Sequence, residues 1–558
     1  MIASSMIECG LDPTIVGLAE SGGWKRYEFA DFKIWFCGHL YDFADPRKAL
    51  TNWPAAQGDA AIKDFVDRLD GHFALICESA SGTIAAVDPV RSLPIFFAEH
   101  RQRILISPNS EALRRAADLS DINAEAALSL AMSGYTVGTQ TLFHCLEQLA
   151  PGELLFAAGG EKPRRVRYHR YSPWNIESDR PEEFERRLGD ITIALFERMH
   201  RQSGGRQIAV PLSAGLDSRL VVSALAEVGA RNVLCFTYGL AGNYEAQAAR
   251  TIAHKLGYAW HFVPFTPASQ RVFWTSELNA RYQNFADSNC STTVVHDLPA
   301  IQYLLDRDII DKSSIAINGN SGDYITGLHI QAPVSQGLLD ISERERNSII
   351  ADTLIKKHFR LWTGLATAAN DEVIKSALLG EIEALDLGSV TSQGAHGIYE
   401  YLEFQDRQAK YVISRQRIYE YLGLEWRLPL WSRDYLDFWQ TVPLEYKRGQ
   451  RLYAQMLEHR NWGGVWGQGW TFPRYVSPDW MRWLVRPAAM ALCAPFGRAA
   501  WHEFERRYFG YWTDLLAFQT VVPYRQVALD RRGARHLVAW HTEAYLARKG
   551  LTWEGRPV

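Results

Sequence analysis

The chain has 558 residues, more than one hydrophobic core usually organises, so two domains are expected. Its net charge of -3 excludes the broad basic surface of most nucleic-acid-binding proteins. Seven cysteines without a Cys-x-x-Cys pair argue against a zinc site or disulfide framework and for a reducing, cytoplasmic compartment. The N-terminus lacks the basic and apolar regions of a signal peptide, and the apolar run Pro487–Phe496 is too short to span a bilayer.

Short strands separated by turn residues are predicted in the first third of the chain. They are Phe32–Phe36, His72–Cys77, Thr83–Val87, Ile95–Ala98 and Ile104–Ser107. A polar, turn-rich stretch at residues 168–183 is predicted to join this strand-rich unit to the second domain.

A turn of small residues, Leu212–Ser218, connects a predicted strand, Gln207–Val210, to a run of apolar residues at helical spacing. The turn therefore lies at a helix N-terminus, where unpaired N–H groups and the helix dipole favour a phosphate or pyrophosphate. Ser213 and Ser218 can add hydroxyl donors, and the Asp217 carboxylate suits Mg²⁺. The candidate anion-binding residues are Leu212, Ser213, Ala214, Gly215, Leu216, Asp217 and Ser218.

Two further strands are predicted downstream, Asn232–Tyr238 and Trp260–Phe265. Between them lies a helix, Tyr244–Leu256, which Gly257 is placed to end. This alternation predicts a parallel sheet with right-handed crossovers. Ligands of such sheets bind at the carboxyl ends of the strands, which is where the Leu212–Ser218 turn falls.

A second glycine-rich turn follows the predicted strand Ser314–Ile317 and also contains a single aspartate, Asp323. Its other candidate residues are Gly319, Asn320, Ser321 and Gly322. Two loops of this kind, each with one aspartate at a strand end, can share one Mg²⁺–pyrophosphate unit.

Residues 213–218 closely resemble the Ser-Gly-Gly-x-Asp-Ser signature of PP-loop ATP pyrophosphatases, which cleave ATP between its α- and β-phosphates. Ala214 replaces the first glycine, so its backbone is predicted to avoid positive φ. The second loop and Leu424–Trp431 resemble, in order, the segments Gly-Glu-Gly-Ser-Asp-Glu and Leu-Glu-Ala-Arg-Val-Pro-Phe-Leu of the asparagine synthetase B family. This resemblance implies ATP and Mg²⁺ as cofactors, with Asp217 and Asp323 as catalytic metal ligands and Thr237 beside the adenine.

The first third of the chain is similar to blocks of the same family's N-terminal glutamine amidotransferase domain. The similar blocks are Cys37–Tyr41, Leu69–Ala74 and Asp88–Pro94. The resemblance implies an α+β Ntn-type sandwich at residues 1–170. It implies an α/β PP-loop domain, adenine nucleotide α-hydrolase-like, at residues 182–558, with a helical C-terminal part.

The glutamine-hydrolysing machinery of the family is not recognisable. Its nucleophile is a cysteine directly after the initiator Met, whereas this chain begins Met1–Ser5 and its first cysteine is Cys9. The family's Asn-Gly-Glu block has become Cys37-Gly38-His39. The N-terminal domain is therefore expected to act as scaffold, with ammonia or a substrate amine as the nitrogen donor.

The second domain also departs from the family pattern. Asn320 stands where asparagine synthetases have a glutamate, and Gly467–Pro473 contains no counterpart of the family's late lysine. Lys447, Arg451 and Arg474 lie near that segment in the sequence. Lys447 and Arg474 are the preferred candidates to stabilise the reacting phosphorus and the leaving pyrophosphate; alternatively, these cations are ordinary solvated side chains.

Four charged residues share one face of a predicted helix in Glu400–Arg417 at spacings i, i+3, i+4 and i+7. They are Glu403, Asp406, Arg407 and Lys410. The pattern favours a solvated, salt-bridged stripe. Alternatively, one of the carboxylates replaces the missing base, as the family's ring-closing relatives place one outside the loop.

Tryptophan and arginine crowd the segment Trp462–Trp512. The tryptophans are Trp462, Trp466, Trp470, Trp480, Trp483, Trp501 and Trp512. The preferred interpretation is a helical domain that packs its aromatic side chains inward. Alternatively, the segment lines a site for a large amphipathic substrate or makes peripheral contact with a membrane surface.

The resemblance implies an ATP-dependent ligase that adenylates a substrate carboxylate and transfers nitrogen to it, with AMP and pyrophosphate as products. The loop Gly319–Gly327 and the run Arg407–Trp431 look most like the members that amidate uronic acids of surface polysaccharides. The alternatives are a lasso-peptide-type macrolactam cyclase, a β-lactam synthetase-like enzyme, and a catalytically weakened homologue that acts as a binding subunit. The sequence leaves the oligomeric state open.

Overall fold

The computed structural model describes residues 12–18, 22–101, 103–159, 161–336, 338, 341–387, 390, 392–467, 480–513 and 521–552. The strands of the N-terminal unit are β1 (Asp12–Ile15), β2 (Lys25–Glu28), β3 (Phe32–Leu40), β4 (Gly71–Ser79), β5 (Gly82–Val87), β6 (Phe96–His100), β7 (Arg103–Ser107), β8 (Glu147–Gln148), β9 (Glu153–Ala157) and β10 (Arg164–Arg167). Its helices are α1 (Pro46–Leu50), α2 (Asp59–Asp67), α3 (Ser110–Ala116) and α4 (Ala124–Ser133). The strands form two sheets, ordered β1–β7–β6–β8 and β10–β9–β5–β4–β3–β2.

Alternation of side chains along the strands explains the layers of this unit. On β4, Phe73 and Leu75 face a core that contains Trp53 and Phe65, next to α1 and α2. Ala74 and its same-face neighbours belong to a second core, shared with β6 and β7 of the other sheet. The larger sheet is therefore buried on both faces, in agreement with the predicted strand-rich unit.

The two units are joined by residues 168–180, which contain no helix or strand, as predicted for the connecting segment. The core that lies between the two N-terminal sheets continues into the second unit, where it includes Val210 and Leu220. The boundaries at residues 170 and 182 remain a prediction, because burial is continuous across the junction.

The second unit is built on a parallel sheet of β11 (Ile208–Pro211), β12 (Val233–Leu240), β13 (Ala259–Phe265), β14 (Ile315–Ile317) and β15 (Glu425–Arg427). The strand order is β13–β12–β11–β14–β15. The chain therefore winds outward in one direction from β11 and then returns to start β14 on the other side of β11. The carboxyl ends of β11 and β14 flank the topological switch point, where open parallel sheets bind ligands.

Helices surround this sheet. They are α5 (Pro181–Ser203), α6 (Leu216–Glu227), α7 (Tyr244–Leu256), α8 (Pro267–Trp274), α9 (Glu277–Phe285), α10 (Leu298–Asp306), α11 (Gly322–Ile325) and α12 (Ala332–Ser335). The predicted bounds of α7 are confirmed, and Gly257 ends that helix with a φ of 72°.

The remaining part of the described chain is helical. Its helices are α13 (Glu343–His358), α14 (Ala368–Glu383), α15 (His396–Glu403), α16 (Arg417–Leu422), α17 (Arg433–Trp439), α18 (Leu444–Lys447), α19 (Arg451–Arg460), α20 (Arg486–Cys493), α21 (Gly497–Phe504), α22 (Gly510–Thr513), α23 (Tyr524–Leu529) and α24 (Leu537–Arg548). The mixed α/β architecture with a helical C-terminal part is thus as predicted. No helix of the described residues is long and apolar enough to cross a membrane.

Three of the four residues of the charged stripe are buried, so the prediction of a solvated stripe is wrong for them. Glu403, at the end of α15, and Asp406 and Lys410, in the π-helical segment Phe404–Val412, are each at most 3% exposed, whereas the Arg407 side chain is 29% exposed. The predicted salt bridge is present, with 2.8 Å between Asp406 and the Lys410 ammonium. Lys410 also donates at 2.6 Å to the backbone oxygen of Gly138, and this contact ties the N-terminal unit to the second unit.

The C-terminal tryptophans have different environments. The structure buries Trp462, Trp466 and Trp501, which are at most 8% exposed. Trp480 and Trp483 are 52% and 67% exposed, so inward packing does not hold for them. The predicted position Trp470 lies outside the described residues.

The buried histidine His541 of the C-terminal part predicts that the stability of the fold falls at acidic pH. His541 on α24 is 6% exposed, and its ring centroid lies 4.7 Å from that of Trp274. Burial, with the nearby charge of His536, lowers the pKa of His541 to about 4. Because this value lies below that of an unfolded histidine, neutral His541 stabilises the fold above about pH 6.5. That stabilisation should fall by up to about 3 kcal/mol as the pH drops to 4.

We expect His541→Asn to make urea-induced unfolding less dependent on pH between about pH 7 and 4. His254→Asn, at an exposed position on α7, is the matched control and should keep the wild-type dependence. If the unfolding free energy depended equally on pH in the wild type and both variants, the lowered pKa of His541 would be contradicted.

Candidate functional site

The first predicted loop joins β11 to α6 as the sequence indicates. The Ser213 backbone N–H donates to Ser218 Oγ at 3.1 Å, and Gly215 N–H donates to Ser213 Oγ at 3.2 Å. Gly215 is the N-cap of α6 with a φ of -69°, and it has no side-chain cap. The φ of Ala214 is not positive, so that prediction is confirmed. The loop is thus shaped by its own serines and leaves the start of α6 without an internal acceptor.

Arg219 and Thr237 hold the loop from opposite sides. Arg219 on α6 donates to the backbone oxygen of Ala214 at 2.9 Å and stacks on Trp466. Thr237, within β12, donates to the backbone oxygen of Leu212 at 2.7 Å. The Thr237 hydroxyl thus fixes the loop to the neighbouring strand.

The second predicted loop packs directly on the first. The Asp323 backbone N–H donates to Asp217 Oδ2 at 3.0 Å. A Cβ atom at Gly322 would lie 2.3 Å from Asp217 Oδ1, and one at Gly319 would lie 2.7 Å from the Asp217 backbone oxygen. Glycine is therefore required at both positions for the two loops to meet.

Ser321 has a left-handed backbone with a φ of 64°. This residue stands where the family segment Gly-Glu-Gly-Ser-Asp-Glu has its second glycine, and the left-handed region is sparsely populated by residues with a Cβ. The loop keeps the geometry of a glycine turn without the glycine, so the surrounding contacts must impose it.

The negative charge of Asp323 affects the ionisation of Asp217. Burial, followed by the negative charge of Asp323, raises the pKa of Asp217 to about 7. The Tyr453 hydroxyl donates to Asp217 Oδ1 at 3.2 Å. Bringing two carboxylates together at a strand edge costs free energy, and a divalent cation would remove that cost. Among the described residues, no cluster of three or more potential metal-ligating side chains occurs.

A histidine links Asp323 to a buried carboxylate. His329 Nε2 lies 3.2 Å from Asp323 Oδ2, and His329 Nδ1 contacts Glu403 Oε1. The exposed fraction falls from 47% for the Asp323 side chain to 17% for His329 and 0% for Glu403. Although burial opposes the charged form, the Glu403 carboxylate raises the pKa of His329. The imidazolium can donate to both carboxylates and so orients Asp323.

Four basic side chains surround Glu403: His329, Lys357, His358 and Arg407. The carboxylate lies 3.1 Å from Lys357 Nζ and 3.0 Å from His358 Nε2, while His329 occupies its other oxygen. Burial alone would raise the pKa of Glu403, but the charges of His358 and His329 hold it well below its ordinary value. The sequence pattern singled out Glu403 and Arg407 but not Lys357 and His358, because those two residues end a helix that is distant in the chain.

Asn320 faces a cation. Arg415 donates to Asn320 Oδ1 at 3.2 Å, and Arg415 Nε lies 3.2 Å from the buried carboxylate of Asp297. Asp297 also accepts a hydrogen bond from the hydroxyl of Tyr238, within β12. The family's glutamate position is thus occupied here by a neutral amide next to a partly exposed guanidinium.

Lys447 is buried and packs against the end of the second loop, where a Cβ atom at Gly327 would lie 2.6 Å from Lys447 Cβ. Its ammonium is 2.9 Å from Glu400 Oε2, and the side chain is 0% exposed. Burial lowers the pKa of Lys447, an effect that Glu400 opposes. This buried ion pair contradicts the alternative of a solvated cation, and the catalytic role of Lys447 stays a prediction. The predicted position Arg474 lies outside the described residues, and Arg451 is exposed at the start of α19.

The region that contains both loops matches a known family. Residues 195–457 match the family model described as asparagine synthase. These 263 residues, slightly less than half of the chain, are therefore asparagine synthase-like. The domain includes β11 to β15, Asp217, Asp323 and the buried charges around Glu403.

One curated relative is the probable asparagine synthetase (glutamine-hydrolyzing) of Acanthamoeba polyphaga mimivirus. It is 38% identical over 78 residues, which are 14% of this chain and 14% of the relative. The match therefore spans about one seventh of the relative's length.

Two solved structures are similar at lower identity. One is titled as the structure of the allosteric regulatory enzyme of purine biosynthesis; it is 12% identical, with 43% of this chain and 62% of that chain covered and a TM-score of 0.19. The other is glutamine phosphoribosylpyrophosphate amidotransferase from B. subtilis complexed with ADP and GMP, 14% identical, with 48% and 76% covered and a TM-score of 0.19. TM-scores of 0.19 do not establish a shared fold.

The contact between the loops of the asparagine synthase domain predicts a strong effect of a single methyl group. We expect Gly322→Ala to destabilise the protein by about 1–3 kcal/mol, because its Cβ would overlap the Asp217 carboxylate. Gly380→Ala, on the exposed face of α14 with no atom within 4 Å of the new Cβ, is the control. It should leave stability unchanged or raise it by about 0.5–1 kcal/mol. Chemical denaturation of both variants tests this, and equal effects would contradict the close contact.

Proposed function

We propose that this protein is an ATP-dependent carbon–nitrogen ligase that forms AMP and pyrophosphate. The observation that carries the proposal is the contact between Asp217 and Asp323 at the switch point of the parallel sheet. It brings a helix N-terminus and two carboxylates together, the combination that a Mg²⁺–nucleotide requires. The match of residues 195–457 to the asparagine synthase family supports the same chemistry.

ATP would lie across the first loop, with its phosphates at the N-terminus of α6. Ser213, Gly215 and Ser218 supply backbone and hydroxyl groups there, and Arg219 keeps the loop in shape through its contact with Ala214. The adenine would lie toward β12 and β13, whose edge offers the stacked rings of Trp260 and Phe262.

Mg²⁺ would be held by Asp217 and Asp323, with nucleotide oxygens completing its coordination. The residues fit such an ion, since the two carboxylates are hard oxygen ligands and their proximity is unfavourable without a cation. When bound, the metal would neutralise charge on the phosphates. His329, fixed by Glu403, keeps the Asp323 carboxylate oriented.

The substrate is proposed to be a carboxylate that attacks the α-phosphorus, after which nitrogen displaces AMP from the acyl-adenylate. Positioning and electrostatics would supply most of the rate enhancement, because the leaving group is already activated. Arg415, held by Asp297 beside Asn320, offers a cation for an acidic acceptor. A uronic acid of a surface polysaccharide or its precursor fits this requirement and the sequence resemblance.

The nitrogen donor is proposed to be ammonia or a substrate amine. Cys37, in the block that replaces Asn-Gly-Glu, is 4% exposed, and burial raises the pKa of its thiol well above the ordinary value. A buried neutral thiol is a poor nucleophile, so Cys37 does not replace the missing cysteine. The N-terminal unit would then serve as scaffold.

The first functional prediction concerns the products of ATP cleavage. With a uronic-acid acceptor, the wild-type protein should form AMP and pyrophosphate, and Asp217→Asn and Asp323→Asn should each reduce the rate at least about a hundred-fold. Pyrophosphate release and nucleotide chromatography are the measurements. Asp311→Asn, in the turn before β14, is the matched control and should remain active.

Formation of ADP and phosphate, or wild-type rates in Asp217→Asn, would contradict the proposed cleavage. Nucleotide binding without AMP formation, with every carboxylate acceptor tested, would instead favour a binding subunit.

The second functional prediction concerns the nitrogen source. Ammonium salts should support amidation better than glutamine does, and glutamate should not accumulate, because the N-terminal unit is proposed to act as scaffold and its Asn-Gly-Glu block is replaced by Cys37-Gly38-His39. Product formation and glutamate release are measured in the same reaction. Faster reaction with glutamine, with glutamate formed in step with product, would overturn the scaffold assignment.

A further inference from the structure

Residues 480–513 form a helical unit that we call the C-terminal hairpin. It contains α20, α21 and α22, preceded or linked by π-helical segments at Met481–Val485 and Glu505–Phe509. Its own small core consists of Met481, Ala489, Trp501 and Phe509. This core is separate from the main one, so the hairpin presents additional surface of its own.

That surface is unusually apolar. In the described part of the chain, most of the large hydrophobic side chains that are exposed fall within residues 480–496. They are Trp480 (52%), Trp483 (67%), Leu484 (71%), Val485 (39%), Met490 (51%), Leu492 (76%) and Phe496 (77%). Single exposed hydrophobic residues are normal, but a group of this size marks an interaction surface.

The charges of residues 480–500 indicate which class of partner this surface binds. Residues 480–500 include Arg482, Arg486 and Arg498 and no aspartate or glutamate. Arg486 pairs with Glu505 of the same hairpin, whereas Arg498 stands at an exposed position directly after the apolar run. Tryptophan, aliphatic side chains and arginine without acidic residues are the composition of helices that lie in a lipid interface.

The length of the hairpin decides how it can meet lipid. The continuous helical run of residues 481–496, which contains α20, has 16 residues, whereas a helix that spans a bilayer needs about 20. Spanning is therefore excluded for this helix, but an in-plane position needs only one apolar side and nearby cations.

We propose that the C-terminal hairpin docks this protein on a membrane surface that contains anionic phospholipids. Trp483, Leu484, Leu492 and Phe496 enter the interface, and Arg498 lies among the lipid headgroups. Docking does not require the Asp217 and Asp323 site, so its test is independent of the proposed ligase activity.

The test is flotation of the full-length protein with lipid vesicles, without ATP. One set of vesicles is phosphatidylcholine alone, and in the other about a third of the lipid is phosphatidylglycerol. Wild-type protein should float with the anionic vesicles. The double variant Trp483→Glu, Leu484→Glu should lose at least about ten-fold in vesicle affinity, because two apolar side chains that enter the lipid are replaced by charged ones.

Two controls separate docking from folding and from general surface effects. Phe43→Glu makes the same kind of change at an exposed hydrophobic residue of the N-terminal unit and should bind vesicles like the wild type. Thermal melting of the double variant should match the wild type, because Trp483 and Leu484 are mostly exposed. Arg498→Glu should weaken binding to the anionic vesicles selectively.

Failure of the wild type to float with anionic vesicles, or equal flotation of the folded double variant, would overturn the proposal. Another result would also overturn the proposal: neither protein binds vesicles, the wild type is a dimer and the double variant is a monomer. The apolar surface would then contact a second copy of the chain.

Discussion

The hydrogen bond from the Asp323 backbone to the Asp217 carboxylate is the contact on which the site depends. It exists because the sheet places β11 next to β14, although more than ninety residues separate these strands in the chain. Gly319 and Gly322 allow the approach, since a Cβ at either position would collide with Asp217. The same contact brings the negative charge of Asp323 near Asp217, where together with burial it raises the Asp217 pKa, so the carboxyl ends of β11 and β14 suit a cation.

Charges buried around the second loop hold it in place. Glu403 fixes His329, Asp297 fixes Arg415, and Glu400 pairs with Lys447 beneath the site. Buried ion pairs of this kind contribute little net stability, because desolvation offsets most of the attraction. Their geometric demands are strict, however, so they are well suited to orient the side chains that surround a nucleotide.

The N-terminal unit is integrated into the second unit by charge as well as by packing. Lys410 donates to the backbone of Gly138, and Arg198 of α5 bridges Asp70 and Asp434. These contacts join the units on either side of the connecting segment. They give the N-terminal unit a structural role that needs no glutamine-hydrolysing activity, in agreement with the scaffold proposed for it.

The sequence by itself determined the local elements. It located the first loop, the bounds of α7 and both aspartates, because helix periodicity, glycine stops and strand-to-helix turns are encoded by neighbouring residues. It could not determine which charges are buried. Glu403 and Lys410 have the spacing of a solvated stripe, but Lys410 is enclosed by packing against the N-terminal unit and Glu403 by Lys357 and His358 of a distant helix. Lys447 likewise has the sequence context of a surface cation, but Glu400 meets it in the core. Burial depends on residues distant in the chain, so tertiary structure alone decides whether a charged side chain faces water, a ligand or a partner.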